Sequence, residues 1–154
     1  GELATQINRD LAGKEVIFIG ILNGTFMFAA DLYRKIDLDS KISFVKLASY
    51  KGTSSSGVIK ELIGWNEDLK GKNVVVLEDI IDTGETIARI SDELTIRKAA
   101  DIKIAVMLFK PEAYKRSIHI DYIGFEIPDR FVIGYGLDFN GFGRNLPSVY
   151  TIIC

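Results

Sequence analysis

The chain has 154 residues, of which 47% are hydrophobic and 26% are charged, and this predicts one globular domain over 1–154 with a sizeable core. The formal net charge of −2 makes nucleic acid a poor candidate for the main partner, so any anion site must be local. The single cysteine, Cys154, suits a reducing compartment, and no apolar run approaches the ~20 residues of a membrane span. We therefore expect a cytoplasmic protein without a membrane partner, and Gly1 in place of a methionine is compatible with a trimmed start.

The first part of the chain predicts a helix, a strand and a second helix. Apolar residues at every fourth position predict an amphipathic helix that stops near Gly13: Leu3, Ile7 and Leu11. Val16–Leu22 is an uninterrupted apolar run, typical of a buried strand, and 26–35 is predicted to be helical. The turn 23–25 between them would lie at the carboxyl end of the strand, as such loops do in parallel α/β sheets.

A polar tract separates the next two predicted strands. The imperfect alternation of apolar residues at 42–47 and 58–63 predicts two half-exposed strands. Between them, 49–57 begins with Ser49 and Tyr50 and is rich in glycine, serine and threonine. By itself, such a tract indicates a surface loop.

The rest of the chain is organised around 74–86. Its first four residues are apolar and mostly β-branched, which predicts a strand covered on both faces, and the segment then turns acidic at Glu78 and Asp79. Turn and capping residues follow and lead into a helical pattern: Asp82, Thr83, Gly84 and Thr86. A strand, a tight loop and a helix direct loop N–H groups and the positive end of the helix dipole at one place, where a phosphate fits.

Three interpretations of this segment compete. The acidic residues could simply be solvated at a strand-turn-helix. Asp82, Thr83 and Gly84 could be the Asp-Thr-Gly of an aspartic protease, although that fold is all-β and a helix is predicted here. Glu78 and Asp79 could be the acidic pocket of a phosphoacceptor domain, which leaves the Thr83–Gly84 loop unexplained. Sugar hydroxyls or hydrated Mg²⁺ would account for carboxylates beside a phosphate site.

The last part of the chain predicts two more core strands. The apolar run 102–109 ends at Lys110, a lysine that on the sequence alone is interpreted as solvated. The only histidine, His119, has no neighbours at ligand spacing and is interpreted as structural. The segment 122–138 predicts a strand, a Pro-Asp turn and a strand, with Phe131 in the core.

Two of these segments resemble one family. The sequence at 76–86, Val-Leu-Glu-Asp-Ile-Ile-Asp-Thr-Gly-Glu-Thr, resembles the phosphoribosyl pyrophosphate (PRPP) binding motif of type I phosphoribosyltransferases, in the version of the hypoxanthine-guanine enzymes. The segment 122–138 is the second match, and the resemblance runs from Val16 to about Ile153. It implies an α/β fold of the type I phosphoribosyltransferase class, with a mainly parallel central sheet flanked by helices, a small hood and a flexible lid loop.

The resemblance also implies a reaction in purine salvage. Ribose 5-phosphate would pass from PRPP to N9 of hypoxanthine or guanine with Mg²⁺ as cofactor, giving IMP or GMP and pyrophosphate. The alternative is a non-catalytic regulator that senses PRPP on the same fold, which should show a basic face and could dispense with Asp82. Relatives assemble as dimers or tetramers, so we expect a homodimer or a homotetramer.

Roles at the PRPP end of the site follow from the same resemblance. The ribose and the 5-phosphate would be bound by the central motif, at Glu78, Asp79, Asp82, Thr83, Gly84, Glu85 and Thr86. Pyrophosphate would meet Asn23, Gly24 and Arg144, and Asn23 stands where many members have lysine, so that side chain brings no charge. The metal would be held by Asp138, with Glu78 and Asp79 acting through water.

Roles at the purine end complete the implied site. The base would be held by Ile80, Lys110, Phe131 and Val132, with Lys110 donating to the 6-oxo group and Phe131 stacking on the ring. A lysine donor suits a 6-oxo group better than the 6-amino group of adenine. Asp82 would be the general base or hydrogen-bond acceptor at N7, partly buried by Ile80 and Ile81. Ser49 and Tyr50 would form the lid that excludes water.

Overall fold

Helices and strands alternate along most of the chain. The structure is a computed structural model, which describes residues 1–48 and 60–153. In chain order the elements are α1 Glu2–Asp10, β1 Val16–Leu22, α2 Phe26–Tyr33, β2 Ser40–Ala48, β3 Lys60–Ile63, β4 Asn73–Ile81, α3 Glu85–Ile96, β5 Asp101–Phe109, β6 Tyr122–Glu126, β7 Val132–Ile133 and β8 Tyr150–Thr151. None of the helices in this described part is long and apolar enough to cross a bilayer.

The main sheet has six strands in the order β3-β2-β1-β4-β5-β6. Every neighbouring pair is parallel except β2 and β3. The short strands β7 and β8 pair antiparallel in a separate two-stranded sheet. The expected type I phosphoribosyltransferase architecture, a mainly parallel sheet flanked by helices, is therefore confirmed.

Both faces of the main sheet are covered, which is why its central strands are apolar without alternation. Val75 and Leu77 of β4 belong to a buried cluster with α1 and α2, whereas Val74 and Val76 belong to a cluster with α3. Successive side chains of a strand point to opposite faces, so a strand between two layers of helices needs apolar residues at every position. The predicted buried strands at 16–22 and 102–109 obey the same rule.

The helix boundaries differ slightly from those predicted. α2 ends at Tyr33 rather than at 35, because Lys35 N donates to Leu32 O at 3.0 Å and the last turn tightens. α3 begins at Glu85, directly after Gly84, which has a left-handed φ of 93°. A residue with a side chain would be strained at that φ, so the glycine fixes where the loop ends and the helix starts.

Candidate active site

The predicted site residues lie at one edge of the main sheet. The strands β1, β4, β5 and β6 are parallel neighbours, so their carboxyl ends open onto the same edge. Asn23 and Gly24 follow β1, the central motif runs out of β4, Lys110 follows β5, and the turn at 127–131 follows β6. Residues that are far apart in the sequence are thereby brought to one place.

One corner of this edge is packed around glycines; we call Gly24, Asp79 and Gly136 the glycine-packed corner. A Cβ atom at Gly24 would overlap Oδ2 of Asp79, and a Cβ atom at Gly136 would overlap the carbonyl oxygen of Gly24. Gly136 also has a left-handed φ of 98°. The peptide bond between Leu22 and Asn23 is cis. The loop after β1 therefore packs closely against the Asp79 side chain and against the turn that contains Gly136, and only glycine fits at these two positions.

Arg144 joins the glycine-packed corner to Asp138. Its Nη1 donates to the carbonyl oxygen of Gly136 at 2.7 Å, and its Nη2 lies 3.4 Å from Oδ1 of Asp138. The other oxygen of Asp138 accepts from Gly141 N at 2.8 Å. The structure thus brings together the arginine predicted to meet pyrophosphate and the aspartate predicted to bind metal, beside the loop that contains Gly24. Their planar guanidinium and carboxylate are oriented by backbone groups.

Glu78 is the buried carboxylate of the site. It is 5% exposed at the end of β4, next to Asp79. Burial, followed by the charge of Asp79, raises the pKa of Glu78 well above its usual value. Its Oε1 accepts from Asp79 N at 3.1 Å, and Oδ1 of Asp79 accepts from Ile80 N at 2.7 Å. A buried carboxylate next to a partly buried one favours a cation, or hydroxyl donors, nearby.

The segment predicted to bind phosphate, which we call the phosphate loop, lies between β4 and the first turn of α3. The hydroxyl-bearing residues Thr83 and Thr86 are exposed, while Gly84 between them is buried. Among the described residues, no side chain caps the start of α3. The first N–H groups of a helix have no partner within it, so this loop offers free donors at the positive end of the dipole, beside the exposed threonine hydroxyls.

A second corner is built from ion pairs; we call Asp82, Lys110 and Asp129 the charge-paired corner. Nζ of Lys110 lies 3.2 Å from Oδ2 of Asp82 and 3.5 Å from Oδ1 of Asp129. The lysine side chain is only 7% exposed, whereas those of the two aspartates are 51% and 57% exposed. Lysine at the end of a strand was interpreted as solvated on sequence alone, and that is wrong because two carboxylates compensate its buried charge.

Asp82 keeps 51% of its side chain exposed, so it is only partly buried. Ile81 is buried, but its side chain points into the core with α3, and Ile80 packs against the cluster on the other face. The Asp82 carboxylate is half-exposed and pairs with Lys110. The carboxylate that loses its water is Glu78, four positions earlier on the strand.

Phe131 lies on the surface rather than in the core. It is 53% exposed, and its ring meets the ring of Phe139 edge to face at 5.8 Å and 83°. The sequence alone predicted a core residue, and that is wrong: the strand that follows Phe131, β7, has only two residues and belongs to the small separate sheet, not to the main sheet. Val132 follows in β7 and pairs with Thr151 of β8. About half of Phe131 is open to solvent, so this ring is accessible to a stacking partner.

Some predicted features do not join the site. The lid residues Ser49 and Tyr50 lie outside the described residues. The side chain of His119 is 85% exposed and lies 3.8 Å from Asp121, away from the edge described above. A cavity of about 1330 Å³ lies between α1, α2 and β6, and Val132 is the one predicted site residue that lines it.

The donors present are oxygen atoms, but they do not form a complete metal cage. In the described ranges 1–48 and 60–153, no three histidine, cysteine or carboxylate residues converge on a single point. Glu78, Asp79 and Asp138 nevertheless supply the hard oxygen ligands that Mg²⁺ prefers, and Mg²⁺ usually keeps several of its waters. The residues fit a hydrated Mg²⁺ held at few points.

Comparison with known proteins identifies the family. The model of the phosphoribosyl transferase domain matches residues 1–140. The chain belongs to the phosphoribosyltransferase family. A hypoxanthine-guanine phosphoribosyltransferase from Aquifex aeolicus is 42% identical over 153 residues, which are 98% of this chain and 86% of that relative. One from Streptococcus pneumoniae is 44% identical over 149 residues, covering 96% and 83%.

A solved structure gives the same result for the fold. The crystal structure of a hypoxanthine-guanine phosphoribosyltransferase from Bacillus anthracis superposes with a TM-score of 0.92 at 42% identity, and covers 99% of this chain and 90% of that one. Sequence and fold agree over nearly the whole length.

This phosphoribosyltransferase also has site neighbours that the sequence did not reveal. Lys115 N donates to the carbonyl oxygen of Thr83 at 3.1 Å, so the segment after β5 supports the phosphate loop. A Cβ atom at Gly84 would lie 2.5 Å from Tyr114 and 2.9 Å from Arg116, so a larger residue does not fit at this position. Asp129 belongs with these neighbours. Its only signal in the sequence was the Pro-Asp turn, which indicated a turn and no partner.

Proposed function

We propose that this chain is a hypoxanthine-guanine phosphoribosyltransferase of purine salvage. It transfers ribose 5-phosphate from PRPP to N9 of hypoxanthine or guanine, and it releases IMP or GMP together with pyrophosphate. The observation that carries the proposal is the Lys110–Asp82 pair, 3.2 Å apart, directly before a phosphate loop in a chain of this family. The relatives of that name, at 42% and 44% identity, support the same conclusion.

The phosphate loop anchors the 5-phosphate of PRPP. Backbone N–H groups of Thr83, Gly84, Glu85 and Thr86 and the threonine hydroxyls donate to its oxygens, and the helix dipole of α3 favours its negative charge. Glu78 and Asp79 face the ribose hydroxyls, and their negative charge favours the cationic sugar that forms as the glycosidic bond breaks. Anchoring the phosphate at one end fixes the reacting carbon in line with the base.

Pyrophosphate leaves at the glycine-packed corner. The backbone amides at Asn23 and Gly24 and the guanidinium of Arg144 donate to its oxygens as negative charge builds up. Asn23 contributes its backbone and no side-chain charge, which leaves Arg144 as the cation assigned to this corner. Mg²⁺ would be held by Asp138 directly and by Glu78 and Asp79 through water, and when bound it would offset charge on the pyrophosphate.

The base binds at the charge-paired corner. Lys110 donates to the 6-oxo group, Phe131 stacks on the purine ring, and the backbone of Val132 meets the purine edge, while Ile80 lines the pocket from β4. Stacking on an aromatic ring contributes about 1 to 3 kcal/mol per base. Asp82 accepts the hydrogen bond or the proton from N7 as N9 attacks the sugar. A donor at the 6-position rejects adenine, because its 6-amino group would face Lys110 with donors of its own.

Several further properties complete the proposal. The segment 1–154 forms one catalytic domain, the enzyme works in the cytoplasm, and it assembles as a homodimer or homotetramer. The single cysteine of the sequence and the shared family support these statements. Ser49 and Tyr50 close over the sugar as a lid.

The test is an ultraviolet assay with PRPP and Mg²⁺, in which hypoxanthine, guanine, xanthine and adenine are offered in turn and each reaction is repeated with EDTA. Metal-dependent conversion of hypoxanthine or guanine, with adenine inert, is the expected result. Conversion of adenine at a similar rate would overturn the assignment of Lys110. If PRPP binds and no base is consumed, the chain is a PRPP-sensing regulator instead.

A further inference from the structure

Three neighbouring strands end with charged residues in the order acid, base, acid. Asp82 follows β4, Lys110 follows β5, and Asp129 lies in the turn after β6. Backbone hydrogen bonds continue past the strand ends and keep these residues level: Lys110 N donates to Ile81 O at 3.0 Å, and Ile127 N donates to Phe109 O at 2.8 Å. The order of the strands therefore places one lysine between two aspartates.

The two aspartates give the lysine more counter-charge than it needs. Its ammonium is 3.2 Å from Asp82 and 3.5 Å from Asp129, and its side chain is 7% exposed. A buried ammonium with no partner would be strongly unfavourable, so at least one carboxylate must stay with it. With two present, one can leave and the lysine still keeps a counter-ion.

We propose that Asp129 is the residue that positions Lys110 and frees Asp82 for the base, an inference that rests on the proposed function. Asp82 has to face N7 of the purine, and Lys110 has to face the 6-oxo group. Asp82 cannot do this while it is the sole counter-ion of the lysine. Asp129 also holds the ammonium, and it lies two positions before Phe131, so the turn that carries the proposed stacking residue also orients the lysine.

The test compares Asp129→Asn with the conservative Asp129→Glu and with Glu112→Gln. Glu112 is an exposed acid two positions after Lys110, so its substitution removes the same charge nearby without touching the pair. For Asp129→Asn we expect kcat to fall by roughly tenfold and KM for hypoxanthine to rise several-fold, with KM for PRPP unchanged. Asp129→Glu should restore most of kcat, and Glu112→Gln should match the unmodified protein.

The double variant shows whether Asp129 acts through Asp82. In an Asp82→Asn background, Asp129→Asn should lower kcat much less than it does in the unmodified protein, because no carboxylate remains to be released toward N7. The assay is run well below the Tm of the double variant, since its buried lysine has lost both counter-ions. Independent losses that multiply in the double variant would overturn the inference. Equal rises in KM for PRPP and for hypoxanthine, together with a lower Tm, would also overturn it, since they would indicate a purely structural role.

The ligand-free protein separates failure of this inference from failure of the proposed function. Thermal unfolding of Lys110→Met, Asp129→Asn and the double variant measures the coupling between the two residues without any substrate. If unmodified protein converts hypoxanthine but shows neither coupling nor a change of kcat in Asp129→Asn, the role of Asp129 is wrong and the enzyme assignment stands. If coupling is present but no base is converted, the proposed function fails and the catalytic role of Asp129 fails with it.

Discussion

The two corners of the sheet edge are held together by different kinds of contact. In the glycine-packed corner, backbone and a carboxylate meet so closely that a single added carbon at Gly24 or Gly136 would overlap its neighbour. In the charge-paired corner, one buried lysine lies between two half-exposed aspartates at 3.2 and 3.5 Å. The glycine-packed corner is therefore confined to one arrangement, whereas in the charge-paired corner Lys110 can lose one carboxylate partner and keep the other.

This difference suits the two ligands proposed for the site. Pyrophosphate carries several charged oxygens, and fixed backbone donors bind it without reorganising as charge builds up. The proposed purine is neutral and takes up a donor of Lys110, whose ammonium already faces two carboxylates. Because Lys110 has two carboxylate partners, one can turn toward the base while the other stays with the lysine. We therefore expect the glycine-packed corner to keep its shape on ligand binding and the ion pairs of the charge-paired corner to rearrange.

The largest expected effect is that of Asp82→Asn, which removes the proposed base but leaves Lys110 paired with Asp129. We expect kcat to fall by about 10² to 10⁴-fold, the usual contribution of a general base, while the Kd for IMP changes much less. Because the lysine keeps Asp129, the free energy of unfolding should hardly change. Steady-state kinetics, IMP titration and urea unfolding measure these three quantities. Losses of equal size in kcat and in IMP affinity would make Asp82 a binding residue only.

Gly24→Ala tests the other corner, where we expect the next largest effect. The new Cβ atom would overlap Oδ2 of Asp79, and relieving such an overlap typically costs about 1–3 kcal/mol of stability. KM for PRPP should rise, because the loop that carries the backbone donors moves. Urea unfolding and PRPP kinetics measure both changes.

Gly13→Ala is the matched control for Gly24→Ala. At Gly13 a Cβ atom meets nothing within 4 Å, but the φ of +78° makes the backbone unfavourable for alanine. This variant should lose stability without any change in KM for PRPP. If Gly24→Ala behaves in the same way, the close packing at Gly24 has no bearing on PRPP binding, and the contrast between the corners fails.

The sequence was informative where one local pattern fixed the outcome. The runs without alternation in β1, β4 and β5 predicted strands covered on both faces, and each is packed between two layers of helices. The motif from Glu78 to Thr86 predicted a phosphate loop because strand, glycine and helix are adjacent in the chain. Local sequence patterns of this kind can be interpreted without knowing which distant residues lie nearby.

The errors concern contacts between distant parts of the chain. Lys110 looks solvated until Asp82 and Asp129 are seen beside it, and Asp129 carries no signal except that of a turn. Phe131 looks like a core residue until β7 is seen to be a strand of only two residues. Burial and pairing at such positions depend on which strands become neighbours, and the local pattern around each residue does not show this.

Glu78→Gln is expected to have a moderate effect that depends on pH. Burial and Asp79 raise the pKa of Glu78 above its usual value of 4.5, so the folded protein binds this proton more tightly than the unfolded chain. This contribution to stability is present below pH 4.5 and is lost as pH rises through the folded pKa. Glutamine cannot ionise, so the variant should lose that pH dependence.

At pH 7, Glu78→Gln should therefore be more stable than the unmodified protein, and this difference in the free energy of unfolding should shrink toward pH 4.5. Urea unfolding between pH 4.5 and pH 8, without ligands, measures it, and the exposed Glu112→Gln should leave the pH dependence unchanged. If the free energy of unfolding of Glu78→Gln and of the unmodified protein changed with pH in parallel, the burial of Glu78 would not destabilise its ionised form. Such a result would mean that the pKa of Glu78 is not raised in the folded protein.

The smallest effect is expected for Tyr135→Phe, which loosens the support of the glycine-packed corner. Tyr135 has a left-handed φ of 49°, directly before Gly136, and its hydroxyl donates to Asp31 of α2. Burial and Asp31 raise the pKa of Tyr135 to about 12, so its contribution to stability is present below pH 10 and is lost as pH rises through 12.

Removing this partly exposed hydrogen bond should lower the free energy of unfolding by at most about 1 kcal/mol at pH 8 and by less at pH 12. KM for PRPP should rise only about twofold, because the close approach of Gly136 to the carbonyl oxygen of Gly24 still fixes the turn. Tyr150→Phe, at an exposed tyrosine of β8, is the control and should change neither quantity. If KM for PRPP rose more in Tyr135→Phe than in Gly24→Ala, the glycine-packed corner would depend more on the Tyr135–Asp31 hydrogen bond than on its glycines. Close backbone packing would then no longer distinguish this corner from the charge-paired corner.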